Sequence, residues 1–160
     1  MKLDDMKVHD LLQLHAEIAD RLEKSKVIRS ANNPVADYAE YIASTGLRLK
    51  LENLSQTGYD AIDSSNGDKY EIKGRKRTNK NLGQFSVFRG LNEKKFDYFI
   101  GVLFKKNYEI EKAWKVPHKV ILNIATYNKH VNGWRLTVNK LMKDIPGVED
   151  ITGKLLLTQK

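Results

Sequence analysis

Near the start of the chain, Leu11, Leu14, Ile18 and Leu22 recur at spacings of three and four between polar neighbours, the period of an amphipathic helix. The spacing predicts a helix from about Leu3 to Lys24 whose apolar stripe lies either on the rest of the domain or on a second copy of the chain. A second helical period follows, in which Asn33 is placed to cap the helix, Pro34 suits its first position and Gly46 is placed to end it. Val35, Tyr38, Ala39 and Ile42 form its inner face, and Asp37 is expected at the surface.

The period then shortens to two. Leu47, Leu49 and Leu51 alternate with Arg48 and Lys50 as in a half-buried strand. Two extended segments, Tyr59 to Asp63 and Lys69 to Arg77, flank Ser64-Ser65-Asn66-Gly67-Asp68, whose Asn-Gly pair signals a tight turn and hence a β-hairpin. Phe85 to Phe88 reads as a short strand, Asp97 to Lys105 as a buried central strand, and Tyr108 to Val116 as its hairpin partner across Asn107. Pro117 opens a helix with Val120, Ile121 and Ile124 on one side, Trp134 to Val138 reads as a strand, and the tail from Lys140 gives short helical pieces split at Pro146-Gly147. Helices, a meander of strands and a further helix make an α/β or α+β sheet domain. An N-terminal helix over residues 1–30 precedes a domain over residues 31–160.

At 160 residues, with 41% hydrophobic and 30% charged side chains, the chain has the composition of one globular domain. Met1 to Asp10 offers no uninterrupted apolar block and Tyr98 to Phe104 is too short to span a bilayer, so no membrane attachment is expected and the cytoplasm is the expected compartment. The absence of cysteine excludes disulfides, thiolate zinc sites and cysteine nucleophiles. A formal charge of +8 favours a polyanionic partner, with nucleic acid first among them.

Candidate chemistry concentrates in Lys69-Tyr70-Glu71-Ile72-Lys73-Gly74-Arg75-Lys76-Arg77. On a strand Lys69, Glu71, Lys73, Arg75 and Arg77 share one face while Tyr70 and Ile72 turn to the core. Across the hairpin Asp60 and Asp63 point to opposite faces, so only one can join Glu71; Asp60 is the choice unless a bulge reverses the facing. Two facing carboxylates repel unless a cation lies between them, and hard oxygen donors suit magnesium or manganese. A neighbouring amine can hold a water or neutralise charge on a phosphate oxygen. Such a set is equipped for phosphodiester hydrolysis.

Glu71-Ile72-Lys73, with Asp60 eleven residues earlier, resembles the signature of the PD-(D/E)XK nuclease superfamily of restriction endonucleases, junction resolvases and phage exonucleases. The resemblance covers roughly Asn33 to Pro117. It implies a mixed sheet flanked by helices, a DNA-cleaving site at one edge of the hairpin, metal ligation by Asp60, Glu71 and the Ile72 carbonyl, and a water-positioning role for Lys73. Some members add an acid from the helix before the sheet, a role Glu40 fits because Ala36 and Ala43 beside it allow close approach. Departures are the missing proline before Asp60 and the short stretch, Arg89 to Phe96, left for a helix between the third and fourth core strands.

Lys69, Arg75, Lys76, Arg77 and Lys80 form a basic surround suited to phosphates, and Gln84 is a candidate for touching a base or orienting a water. His9, His15, His118 and His130 make no close ligand pair, and Trp114 and Trp134 are expected in the core. The competing reading is a nucleic-acid-binding module that keeps the fold without cutting.

Overall fold

The computed structural model describes residues 2–30, 33–53, 58–78, 84–85, 87–137 and 140–159. Two helices, α1 (Val8–Lys24) and α2 (Pro34–Leu47), lead into strands β1 (Lys50–Leu51), β2 (Ala61–Ile62), β3 (Lys69–Lys76), β4 (Tyr98–Phe104) and β5 (Ile110–Pro117). Helix α3 (His118–Ile124), strands β6 (Thr126–Asn128), β7 (Gly133–Arg135) and β8 (Glu149–Asp150), and helix α4 (Thr152–Leu156) complete the chain. The main sheet runs β1-β2-β3-β4-β5-β8, with β3 and β4 parallel and the other neighbours antiparallel. It is a mixed sheet in an α/β domain. Strands β6 and β7 form a separate ribbon.

Asn33 caps α2 by accepting the Val35 N–H, and Pro34 sits at its start, as the sequence predicts. The helix ends later than Gly46, at Arg48 in the left-handed conformation. Gly46 serves packing instead: a Cβ there would meet Leu155 Cδ2 at 2.7 Å, so its absence lets α4 approach. The expected strand over Leu47 to Leu51 shrinks accordingly to Lys50–Leu51. On the other side of α2, Gly74 of β3 is pressed against it, since a Cβ would lie 2.4 Å from the Val35 carbonyl oxygen and 2.7 Å from Ala39 Cβ.

Both faces of the sheet are covered. Tyr70, Ile72, Ile100, Val102 and Phe104 pack with Ala39, Ile42 and Leu155 beneath α2 and α4. Phe99, Leu103, Trp114 and Val116 pack with Val120 and Ile121 of α3 and with Phe85, Phe88 and Leu136. Glu71 and Lys73 therefore border a second core rather than open solvent. Phe85 and Phe88 belong to no strand; only isolated bridges, Gln84 to Thr137 and Phe88 to Trp134, tie this stretch to the ribbon. The chain between β3 and β4 carries a single turn of 3-10 helix, Leu91–Glu93, among its described residues. Trp134 lies in β7, whose partner β6 the sequence did not signal, and the tail includes the equally unsignalled β8.

The first helical stretch divides into a 3-10 turn, Leu3–Asp5, and α1, of which no residue is buried. Residues beyond α1 return to the domain: Ile28 is buried, and Asp37 accepts the backbone N–H groups of Arg29 and Ser30 and the Ser30 hydroxyl at 2.7, 2.8 and 3.0 Å. Asp37 is thus buried, contrary to the surface position expected for it. No helix among the described residues is long and apolar enough to cross a membrane.

Candidate functional site

Strand β2 pairs with β3 only through Ala61 and Ile62, opposite Tyr70 and Lys69. Before Ala61 the strands part and the sheet forks. Register would set Asp60 opposite Glu71, yet the Asp60 N–H donates to the Tyr70 carbonyl at 2.7 Å and its carboxylate accepts the Ile72 N–H at 2.6 Å. The side chain takes the place of the backbone acceptor that a longer β2 would have provided, which meets the need of a partly buried N–H. Ile72 itself points into the first core.

Alternation along β3 brings Glu71 and Lys73 together on the side of the second core. Lys73 Nζ lies 2.6 Å from Glu71 Oε1, with the two side chains 16% and 18% exposed, and 5.0 Å from the centre of the Phe88 ring. Glu40 reaches the same region from α2, where the Arg29 guanidinium binds its carboxylate while donating to the Glu52 carbonyl at 2.7 Å. Arg29 was not signalled by the sequence, because the link spans eleven residues and follows no period.

The electrostatics join these groups. Burial pushes the Asp60 carboxyl up to about 7, and the charges of Glu71 and Glu40 add to the rise against the opposing Ile72 N–H and Lys73. Burial also raises Glu40, assisted by Asp37 and Glu71 and opposed by Arg29. Three carboxylates thus influence one another in a partly buried region that also holds the cations Lys73 and Arg29. Hard oxygen donors with surplus negative charge fit a magnesium or manganese ion. Each carboxylate also has a present partner, Arg29, Lys73 or the Ile72 N–H, and no group of three His, Cys, Asp or Glu side chains among the described residues is drawn close enough to hold an ion as it stands. Metal binding would exchange some of those partners for the ion.

Asp63 lies at the far end of the hairpin, where its carboxylate accepts the Ser65 N–H and hydroxyl at 2.9 and 2.6 Å and is lowered by those bonds. The basic surround is divided. Lys69 is exposed above the Tyr59 ring, Arg75 is exposed, and Arg77 pairs with Glu111. Lys76 alternates to the α2 side of β3 and sits 4.3 Å from the Tyr108 ring centre, so it does not join the others in one patch. Gln84 bridges to Thr137, and Lys80 lies outside the described residues. His118 is buried with Nε2 2.7 Å from the Leu91 carbonyl oxygen, a structural role. No protein-family model matches the chain, and no curated protein matches it. The chemistry of the fork is therefore read from its own geometry.

Proposed function

We propose that the chain is a metal-dependent DNA endonuclease with a restriction-endonuclease-like fold, cutting phosphodiester bonds at the β2–β3 fork. The observation that carries this reading is the Asp60 carboxyl, raised to about 7 by burial and by the nearby charges of Glu71 and Glu40, beside an amine 2.6 Å from Glu71. Perturbed groups gathered in one place mark functional sites more often than structural ones. Asp60, Glu71 and the Ile72 carbonyl, helped by Glu40, would hold magnesium or manganese, which supplies Lewis-acid polarisation of the phosphate and an acidified water. Lys73 orients that water and offsets negative charge on the phosphate. Lys69 and Arg75 supply phosphate contacts around the fork.

The test is incubation of the purified protein with supercoiled plasmid and magnesium. Nicking that disappears with chelator and in Glu71→Ala and Lys73→Ala is the expected result; plasmid left intact across magnesium and manganese rejects hydrolysis. A second reading, a duplex-binding module without cleavage, is favoured by one observation: every carboxylate at the fork already has a partner. It predicts salt-sensitive DNA binding with no nicking.

Self-association through α1 belongs to the same proposal. Val8, Leu12 and Ile18 are 74%, 63% and 50% exposed. Val8, Leu12, His15, Ala19 and Leu22 follow the alternating four-three spacing of a coiled-coil seam. Sedimentation should show a dimer for the native chain and a monomer for Leu12→Glu with Ile18→Glu.

A further inference from the structure

The formal charge of the chain is unevenly spread. Between Glu111 and Asp144 there is no acidic residue, whereas Lys112, Lys115, Lys119, Lys129, Arg135, Lys140 and Lys143 fall in that interval. Its middle folds as the β6–β7 ribbon, with Thr126 opposite Arg135, Tyr127 opposite Trp134 and Asn128 opposite Gly133. Trp134 turns inward against the second core and Tyr127 stands edge-on to it, half exposed. Lys129 and His130 are exposed at the tip. Among the described residues no carboxylate pairs with Lys129, His130 or Arg135.

The tip is held by its own bonds. Asn128 accepts the N–H groups of His130 and Val131 at 3.0 and 3.3 Å, and the Tyr127 hydroxyl donates to Asn132 at 2.9 Å. A basic loop ordered in this way loses little freedom on binding. The base of the ribbon is fastened beside the fork: Phe88 and Trp134 exchange two backbone bonds of 2.9 Å, and Phe85 donates to the Leu136 carbonyl at 3.1 Å. Gly133 permits that approach, since a Cβ there would meet Val87 Cγ1 at 2.2 Å. Phe88 in turn places its ring 5.0 Å from Lys73 Nζ.

We propose that the β6–β7 ribbon enters a groove of B-form DNA and seats the duplex over the fork, with Tyr127, Lys129, His130 and Arg135 as its contacting side chains. The major groove admits a two-stranded ribbon of this width, whereas the corresponding groove of duplex RNA is too deep and narrow. The inference rests on the nucleic-acid reading of the fork, but binding measured in chelator separates it from cleavage.

The experiment is fluorescence anisotropy of a labelled DNA duplex with the full chain across a salt series. Lys129→Ala with Arg135→Ala should weaken binding about tenfold at low salt and flatten the slope of log affinity against log salt by about 2, near one unit per lost phosphate contact. Lys129→Glu alone, on the exposed tip, should also weaken it, while Lys154→Ala should bind as the native chain does; circular dichroism reports that each variant is folded. Unchanged affinity in folded ribbon variants overturns the inference, as does a native chain that ignores duplex DNA at low salt. Equal binding of duplex RNA with the same loss overturns the groove assignment. Cleavage with unaltered ribbon variants sinks the ribbon alone, whereas ribbon-dependent binding without any cleavage sinks the hydrolase alone.

Discussion

The two ends of one hairpin treat the same residue type in opposite ways. At the turn, Asp63 is partly exposed, takes two short bonds from Ser65, and holds its proton less tightly than a free aspartate. At the fork, three residues earlier, the partly buried Asp60 lies beside Glu71 and Glu40 and holds its proton up to about pH 7. Neither difference comes from the aspartate itself. At the turn the backbone folds back and offers donors, whereas at the fork the sheet opens and brings acids together around one N–H. Surplus charge in a dry site is costly unless a ligand relieves it, which makes the fork the end to test for chemistry.

Cleavage should respond most strongly. Glu71→Ala or Lys73→Ala should lower the nicking rate at least about 1,000-fold, near 4 kcal/mol of transition-state stabilisation, while Asp63→Ala leaves the rate within about twofold. A comparable loss in Asp63→Ala would erase the distinction between the two ends.

Arg29 comes next. It binds Glu40 with 24% and 12% of the two side chains exposed, so Arg29→Ala leaves a partly buried acid facing Asp37 and Glu71. Breaking a fully buried pair costs about 3–5 kcal/mol; discounted for this exposure, about 2 kcal/mol is expected, read as a lower denaturation midpoint. Adding Glu40→Ala should recover part of that loss because the stranded charge goes with it. If the double variant is no more stable than Arg29→Ala, charge at the fork is not what Arg29 compensates.

Much of the hairpin was legible in the chain. Asn66-Gly67 marks the turn, alternation from Lys69 to Lys76 sets the facing of Glu71 and Lys73, and Asn33-Pro34 marks the start of α2. Local chemistry decides all three. Less legible were features made by contacts distant in sequence. Arg29 and Asp37 tie a loop to a helix, Gly46 exists to admit Leu155, and Phe85 and Phe88 cover the odd face of β3 from outside any strand. Strands of two or three residues, such as β1, β6 and β8, are too short to show a period. The fork itself is half legible: its acids can be named from spacing, but the short pairing of β2 that opens it cannot.

Asp60→Asn separates the two ends of the hairpin through pH. An aspartate titrates near 3.8 when unperturbed and near 7 in the folded chain, so the folded state binds the proton more tightly. Stability from that proton is complete below about pH 3.8 and is lost as pH rises through about 7. Asparagine keeps an oxygen for the Ile72 N–H and carries no charge. From pH 5 to pH 8 the native chain should lose about 2–3 kcal/mol relative to Asp60→Asn, a widening of the melting difference by roughly 5–10 °C. Asp63→Asn should show no such trend. Manganese, competing with the same proton, should bind about tenfold more tightly per pH unit on approach to 7 and level off above it. Parallel melting curves for Asp60→Asn and the native chain across this range would mean that the fork carries no surplus charge.

The smallest effect belongs to the turn. Gly67 has φ +81° and nothing within 4 Å of an added Cβ, so Gly67→Ala meets backbone strain alone, about 1 kcal/mol. The turn has its own bonds, from the Gly67 N–H to the Asp63 carbonyl at 2.8 Å and from the Asp68 N–H to Asn66 at 2.9 Å, and none of them reaches Asp60. The variant should therefore melt a few degrees lower while cutting at the native rate at temperatures where it is folded. A cleavage loss larger than the unfolded fraction explains would mean that strain at the turn shifts the Ala61–Tyr70 register, and that the hairpin works as one rigid lever rather than as two ends with separate duties.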